Sequence, residues 1–332
     1  MEEATRLQVF LDRANFGPGK IDGRYGEFTT KALQLYRVAQ GGSTTDAAAA
    51  VPPIAEPPES VDGAKKSKAE KQNAPDMSGL DFTSIDPVFI TYNVTEEDVK
   101  AVGDLPGEPA AQSKLKWLPY RSVAEVVAER FHADIDFLEE LNPGKTKNLK
   151  PGDSVTVPNV EPFTYERAKD GNNSKGANDQ EELEDAGKAR KDSKEKEPER
   201  GLRVDTKSNM VEVREGEKLV AAFPVTVGSE HTESPIGEWK VKQSTKLPVF
   251  RYDKKMLNEG ERGDDFHLLP PGPNNPVGVM WIALNKKGIG LHGTDSPDQI
   301  GRSASHGCIR LANWDIVKLA ALVDKGTPVT IE

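Results

Sequence analysis

Cys308 is the one cysteine in 332 residues, so no intrachain disulfide can form and stability must come from packing. Aromatic residues supply only 6% of the chain and hydrophobic residues 36%. That is low for a globular protein and predicts stretches with no core. No run of about 18 apolar residues occurs, which excludes a transmembrane helix. Basic charge is also scarce: 44 Lys and Arg against 54 Asp and Glu leave a net −10. Nucleic-acid binding needs a surplus of Lys and Arg on one face, so a nucleic-acid partner is excluded. The opening Met1-Glu2-Glu3-Ala4-Thr5 has neither the basic n-region nor the apolar h-region of a secretory leader. A cytosolic chain and a mature chain whose leader has been removed both fit that start.

What is present divides by composition. The length predicts two or three domains. Residues 43–82 are rich in Ala, Pro, Ser and Lys and read as a linker that cannot offset its own ordering entropy. Residues 163–200 read as a charged polar linker or loop, with alternating charge compatible with a short solvated helix at Gln180–Arg190. Three folded segments remain, 1–42, 83–162 and 201–332.

In the first segment, Leu7, Val9, Phe10, Leu11 and Ala14 have helical spacing, and Phe28, Ala32, Leu35 and Tyr36 line a second helix. Asp22-Gly23 and Gly26 supply the turn between them. The run Ile21-Asp22-Gly23-Arg24-Tyr25-Gly26-Glu27-Phe28-Thr29 resembles the small helical peptidoglycan-binding domain, with a plain helical hairpin as the alternative. The second segment reads as a strand at Val88–Val94, helices at Val123–Phe131 and Ile135–Leu141, and a Pro151-Gly152-Asp153 turn leading to a strand ending at Pro158. Strand–helix–helix–strand with Asn142 after the second helix resembles a LysM domain, which implies binding to glycans containing N-acetylglucosamine. Tyr92, Asn142 and the Lys150–Asp153 turn are the expected contacts. The stretch from Val94 to Arg121 departs from the LysM pattern as an insertion, and a domain kept for interdomain contacts is the alternative.

The chemistry is concentrated near the C-terminus. Ile289-Gly290-Leu291-His292-Gly293-Thr294 is followed 11 residues later by His306-Gly307-Cys308-Ile309-Arg310-Leu311. A lone cysteine is usually a small buried hydrophobe, but two imidazoles and a glycine stand near this one. A thiol with a reference pKa of about 8.5 needs a base to become a nucleophile. The base needs a partner that fixes its tautomer. Backbone amides at Gly307 and Cys308 would stabilise the oxyanion of a carbonyl substrate. Such a site performs acyl transfer through a thioester. One thiolate and no Cys-x-x-Cys argue against zinc, and no metal or cofactor is expected.

His292-Gly293-Thr294 followed by Ser305-His306-Gly307-Cys308-Ile309-Arg310 closely resembles the signature of L,D-transpeptidases, the YkuD-type catalytic domain. The flanking strand-like runs Leu219–Gly228, Ser234–Val241 and Trp281–Leu284 agree over 201–332. The resemblance implies a β-rich, β-sandwich-like domain and hence a multidomain α+β chain. It also implies a Cys308 nucleophile, His292 as general base with the Gly293 carbonyl orienting its ring, and His306 and Gly307 bordering the oxyanion site. Arg310, Ser305 and Thr294 are the implied substrate contacts. The implied substrates are peptidoglycan stem peptides, with a stem amine or a wall-attached lipoprotein as acceptor and glycan strands as partners. A hydrolase using water as acceptor, or a wall-binding anchor with a silent site, are the alternatives. Such a substrate lies outside the cytoplasmic membrane, so export to the periplasm or cell wall is expected. His231 and His267 are read as loop or surface residues, segment 244–273 as a lid, and Asn313 as the N-cap of a helix Trp314–Asp324.

Overall fold

The computed structural model describes residues 1–42, 74–165, 200–228, 234–259, 262–302 and 307–332. Most of both expected linkers, and the helix anticipated at Gln180–Arg190, lie outside the described residues, as does His231.

Helices α1 (Glu2–Arg13) and α2 (Glu27–Ala39) form the first segment. The middle segment begins with β1 (Phe89–Asn93), then α3 (Glu96–Lys100) and α4 (Pro109–Gln112) inside the insertion. Helices α5 (Val123–Arg130) and α6 (Ile135–Leu141) and strand β2 (Ser154–Pro158) complete it. The Ser122 hydroxyl caps α5 and the Asp134 carboxylate caps α6, each satisfying N–H groups that have no partner within the helix. Strands β1 and β2 pair antiparallel, Phe89 opposite Pro158 and Asn93 opposite Ser154. Val127, Phe131, Phe137 and Leu138 close the core beneath that ribbon.

The last segment contains β3 (Arg200–Asp205), β4 (Met210–Glu215), β5 (Lys218–Pro224) and β6 (Gly237–Lys246). A separate hairpin of β7 (Phe250–Asp253) and β8 (Phe266–Leu269), with helix α7 (Lys254–Glu259) between them, follows. Strands β9 (Met280–Leu284), β10 (Gly290–His292) and β11 (Ile309–Arg310), helix α8 (Asn313–Ala321) and strand β12 (Pro328–Ile331) finish the chain. Eight of these strands form one sheet in the order β11-β10-β9-β6-β12-β3-β4-β5. The two facing sheets of a sandwich are therefore one continuous curled sheet. Strand β6 makes the corner. Its first half pairs with β12, its second half with β9, and the register shifts between Val241 and Gln243, as a bulge does where a strand bends. The edges then meet: Thr226, just beyond β5, exchanges backbone hydrogen bonds with Arg310 of β11 at 2.9 and 3.0 Å. One core inside the curl contains Val204, Val213, Val241, Ile282, Leu291 and Ile309.

The first segment is wedged between the other two. Gly17 N donates to Ala222 O and Ala222 N donates to Asn15 O, so the chain after α1 adds to the edge of β5. Leu7, Leu11, Phe16, Ala32 and Leu33 bury Met210, Leu219 and Ala222 of the sheet. On its other side, Ile21 exchanges backbone bonds with His132 and Asp134. The two linker assignments need correction at their ends. Phe82 stacks edge-on against Phe10, and Tyr165 stacks on Trp117, because these few aromatic rings find apolar partners that the surrounding polar stretches lack.

At the centre Asp12, 1% exposed, accepts from His132 Nδ1 at 2.8 Å and from Lys318 Nζ at 2.9 Å. Burial alone would raise the Asp12 pKa, but His132 and Lys318 together hold it well below the ordinary range. Neighbouring Asp315 behaves oppositely: burial, opposed by Lys318, pushes its carboxyl up to about 8. A folded-state pKa above the unfolded value means that Asp315 supports the fold fully below about pH 4. Its contribution is lost as pH rises toward 8. Asp315→Asn is expected to gain about 1 kcal/mol or more at pH 8.5, the worth of one pKa unit, and almost nothing at pH 4. Asp12→Ala is expected to cost about 3–5 kcal/mol, the usual loss when one buried partner is removed. Urea unfolding at both pH values checks the pair, and an Asp315→Asn effect independent of pH would contradict it.

Candidate active site

Two short strands determine where the motif residues point. Strands β10 and β11 run parallel, with Leu291 opposite Ile309 and His292 opposite Arg310. Leu291 and Ile309 enter the core. Alternation then places His292, Arg310 and, two residues before it, Cys308 together on the other face of the sheet. Residues sixteen apart in sequence become neighbours through one parallel strand pair. Gly307 has φ +98°, a conformation that glycine adopts without steric cost and that turns the chain into β11. His306 and Ser305 lie outside the described residues.

His292 is 4% exposed. Trp281 of β9 is opposite it in register and stacks on its ring at 5.2 Å with 9° between the planes. The Nδ1–H donates to the Gly293 carbonyl at 2.6 Å. A carbonyl can only accept, so Nδ1 carries the proton and Nε2 keeps its lone pair. Burial, aided by the charge of Arg310, lowers the His292 pKa to about 4. At neutral pH the ring is therefore an uncharged base. Cys308 is half-buried, and its thiol donates to the Gly288 carbonyl at 3.5 Å. Burial raises its pKa, against a hydrogen bond from the Gly290 backbone and the Arg310 charge. The resting pair is thus thiol and neutral imidazole. Arg310 itself is pulled down by burial, with the charges of Cys308 and Asp295 opposing.

Thr294 is buried, and its hydroxyl accepts from Ser296 N at 3.1 Å. It shapes the turn after the histidine. His267 sits in β8 opposite Tyr252, half-buried, so it is a strand residue of the hairpin.

Asn313 is more than a helix cap. It is the first residue of α8, Ala312 holds the N-cap position, and its side chain is fully buried. Its Nδ2 donates to Glu129 Oε1 at 2.9 Å and to Pro273 O at 3.3 Å, while its Oδ1 accepts from Val279 N at 3.1 Å. A Cβ on Gly278 or Gly293 would stand 2.1 or 2.2 Å from that oxygen. The amide is therefore clamped against the residue whose carbonyl holds His292. Glu129 comes from α5 of the middle segment, accepts also from Tyr120, and is raised by burial to about 7. Nothing in the sequence marks Glu129 or Trp281 as site residues, because their place depends on packing between segments. No group of three or more possible metal ligands is found among the described residues.

The arrangement can remove a thiol proton and fix the direction in which it moves. Nuclear magnetic resonance of the imidazole nitrogens should show His292 as the Nδ1–H tautomer, neutral down to about pH 5. In Asn313→Ala the Gly293 carbonyl loses its backing, and a measurable Nε2–H fraction is expected. An unchanged tautomer in that variant would separate Asn313 from the histidine.

Residues 199–331 match the family model of the YkuD-type L,D-transpeptidase catalytic domain. A putative L,D-transpeptidase YkuD of Bacillus licheniformis is 31% identical over 130 residues, 39% of this chain and 64% of the relative. A second putative L,D-transpeptidase, YqjB of Bacillus subtilis, is 30% identical over 133 residues, 39% of this chain and 68% of the relative. Among solved structures, an L,D-transpeptidase of Mycobacterium smegmatis aligns over 40% of this chain and 58% of its own, with 18% identity and a TM-score of 0.33. The alignment thus spans just under two thirds of the first relative and just over two thirds of the second. On these sequence matches, the chain belongs to the L,D-transpeptidase family through residues 199–331.

Proposed function

We propose that the chain is a cysteine L,D-transpeptidase that acts on peptidoglycan stem peptides. The observation that carries this reading is the buried His292, its Nδ1–H tied to Gly293 and its Nε2 left basic, on the same sheet face as Cys308 and Arg310. As the thiol sulfur attacks the carbonyl preceding a D-amino acid, Nε2 takes the thiol proton. The backbone N–H groups of Gly307 and Cys308 receive the developing oxyanion, a role to which the motif resemblance also assigns His306. Collapse expels the D-amino acid, protonated by the imidazolium, and leaves a thioester on Cys308. An acceptor amine then attacks the thioester and gives its proton to His292, and the thiol is regenerated as the cross-link or protein attachment forms. Arg310 suits a carboxylate of the stem because its planar fork donates two parallel N–H bonds to two oxygens. The motif resemblance assigns Ser305 and Thr294 to the same substrate contact.

The substrate lies outside the cytoplasmic membrane, so the reading places the protein in the periplasm or cell wall. No described helix is long and apolar enough to span a membrane. The helical first segment and the strand–helix–helix–strand middle segment are read as peptidoglycan-binding-like and LysM-like units. The first packs on the catalytic sheet at β5, and the second packs against α8 and the stretch around Asn274.

Incubation with a tetrapeptide stem followed by intact-mass spectrometry should give an acyl adduct on the parent and none on Cys308→Ala. His292→Ala should slow acylation by roughly 10²–10⁴, the usual worth of a positioned acid–base group. With the His292 pKa lowered to about 4, the base form is present above that value. The acidic limb of kcat/KM should therefore fall well below pH 6.5. Dimeric muropeptides would support transfer, and tripeptides alone would support hydrolysis. An adduct surviving Cys308→Ala would remove the thiol from the mechanism.

A further inference from the structure

The residues from which glycan recognition was expected are engaged in holding the middle segment together. Asn142 is 3% exposed. Its amide donates to Leu138 O and Thr156 O and accepts from Thr156 N, which fastens α6 to β2. The Tyr92 hydroxyl donates to the buried Asp98, and the Asp153 carboxylate accepts from Lys150 N within its own turn. Glu129 does the opposite. Near the C-terminal end of α5, it turns its carboxylate out of the segment, where Oε1 accepts from Asn313 Nδ2 at 2.9 Å.

Burying a carboxylate there is costly. Glu129 is 9% exposed, and the charges that bear on its ionisation, those of Glu125 and Asp295, are both negative. Two hydrogen bonds offset the burial, from the Tyr120 hydroxyl to Oε2 and from Asn313 to Oε1. Burial outweighs them and raises the pKa to about 7. Apolar groups of the same shape would fill the interface at little or no cost, so packing alone does not account for a carboxylate. An acceptor for Asn313 does.

Asn313 needs that acceptor because of what it holds. Gly293 has no side chain to restrain its peptide, and none would fit: a Cβ there would stand 2.2 Å from Asn313 Oδ1 and 3.1 Å from Gly278 Cα. The carbonyl that fixes the His292 tautomer is therefore oriented from outside, by the amide packed on it. A side-chain amide turned over keeps its shape but exchanges donor and acceptor. Two partners of opposite kind prevent this. Val279 N–H requires the oxygen on one side, at 3.1 Å, and the Glu129 carboxylate requires the NH₂ on the other. Without Glu129 the donor side keeps the longer bond to Pro273 O, at 3.3 Å. Protonation of Glu129 does not undo the arrangement. A proton on Oε2 can be donated to the Tyr120 oxygen, which leaves Oε1 an acceptor.

We propose that Glu129 is a positioning residue for the acyl-transfer base. Acting through Asn313 and the Gly293 carbonyl, it holds His292 in the Nδ1–H tautomer that leaves Nε2 basic. It touches neither the substrate nor the reacting atoms. The middle segment thereby completes the site, and His292 is set correctly only when α5 is seated against α8. The kinetic consequence rests on the reading of the chain as a cysteine L,D-transpeptidase, whereas the tautomer does not.

The test joins nitrogen magnetic resonance of the imidazoles in the full, substrate-free chain to acylation kinetics with a tetrapeptide stem. Glu129→Ala should show a measurable Nε2–H fraction for His292. Its kcat should fall about tenfold to 10²-fold, the scale of loss for a misplaced catalytic group, with KM changed less than about twofold. Glu129→Gln, whose carbonyl oxygen still accepts from Asn313, should restore the parent tautomer and bring kcat to within about threefold of the parent. In an Asn313→Ala background, Glu129→Ala should add less than about twofold to the loss, because both act on one path. Arg121→Ala is the control for docking alone. It removes another contact across the same interface, to Asn274 Oδ1 at 2.7 Å, and should leave the tautomer unchanged whatever its urea midpoint. Urea midpoints show whether each variant is folded, and Glu129→Leu, close in size and without a charge to bury, serves where Glu129→Ala is not. An unchanged tautomer in the folded variant, failure of glutamine to restore it, an equal Nε2–H fraction in Arg121→Ala, or losses that simply multiply in the double variant would overturn the proposal. Absence of any acyl adduct on the parent would instead defeat the transpeptidase reading, and the tautomer measurement would still decide the role of Glu129.

Discussion

A buried carboxylate has to be paired, and pairing Asp12 organises the whole molecule. Left alone in an apolar interior it would neutralise or force the chain open. Here it receives His132 from the end of α5 and Lys318 from α8. The first helix, the middle segment and the C-terminal domain are thereby held to one point. His132 also stacks on Trp314 at 5.2 Å, so the polar contact is walled by aromatic surface and shielded from water. Backbone pairing on either side of it, Gly17 with Ala222 and Ile21 with His132 and Asp134, extends the same junction.

That junction bears on the chemistry. The loop between His292 and Cys308 is contacted by the first segment, where Lys20 bridges Asp134 and Asp298 and the Phe28 ring lies against Gly301. Glu129 reaches Asn313 from the middle segment, and Asn313 packs on Gly293. The histidine thus depends on groups from distant stretches of the chain for its orientation. A neutral imidazole beside a protonated thiol is a resting state that burial enforces on both partners, since each loses more from being charged than it gains from a neighbour.

The insertion into the middle segment has a structural reason of its own. Leu118 N donates to Pro271 O, and Asn274 spans Pro119, Arg121 and Glu125. A Cβ on Gly272 would stand 2.1 Å from Leu118 O. The extra chain is a brace against the stretch after the β7–β8 hairpin.

The sequence by itself determined the local elements and the identity of the reacting groups. Helical spacing in 1–42, alternation in the strands and the His292–Cys308–Arg310 signature are all short-range patterns, legible because they repeat at 3.6 or 2 residues or lie within one motif. The N-cap of α8 was displaced by one residue because the Asn313 amide has stronger partners than its own helix. The two linkers were drawn a few residues too far because isolated aromatics such as Phe82 and Tyr165 carry no periodicity. Only the tertiary structure decided that one sheet curls and meets its own edge at Arg310, that Trp281 covers His292, and that Asn142 is buried in bonding while Glu129 reaches across to Asn313. These depend on which side chains meet across more than a hundred residues, and long-range complementarity of shape and charge leaves no repeat in the chain to read.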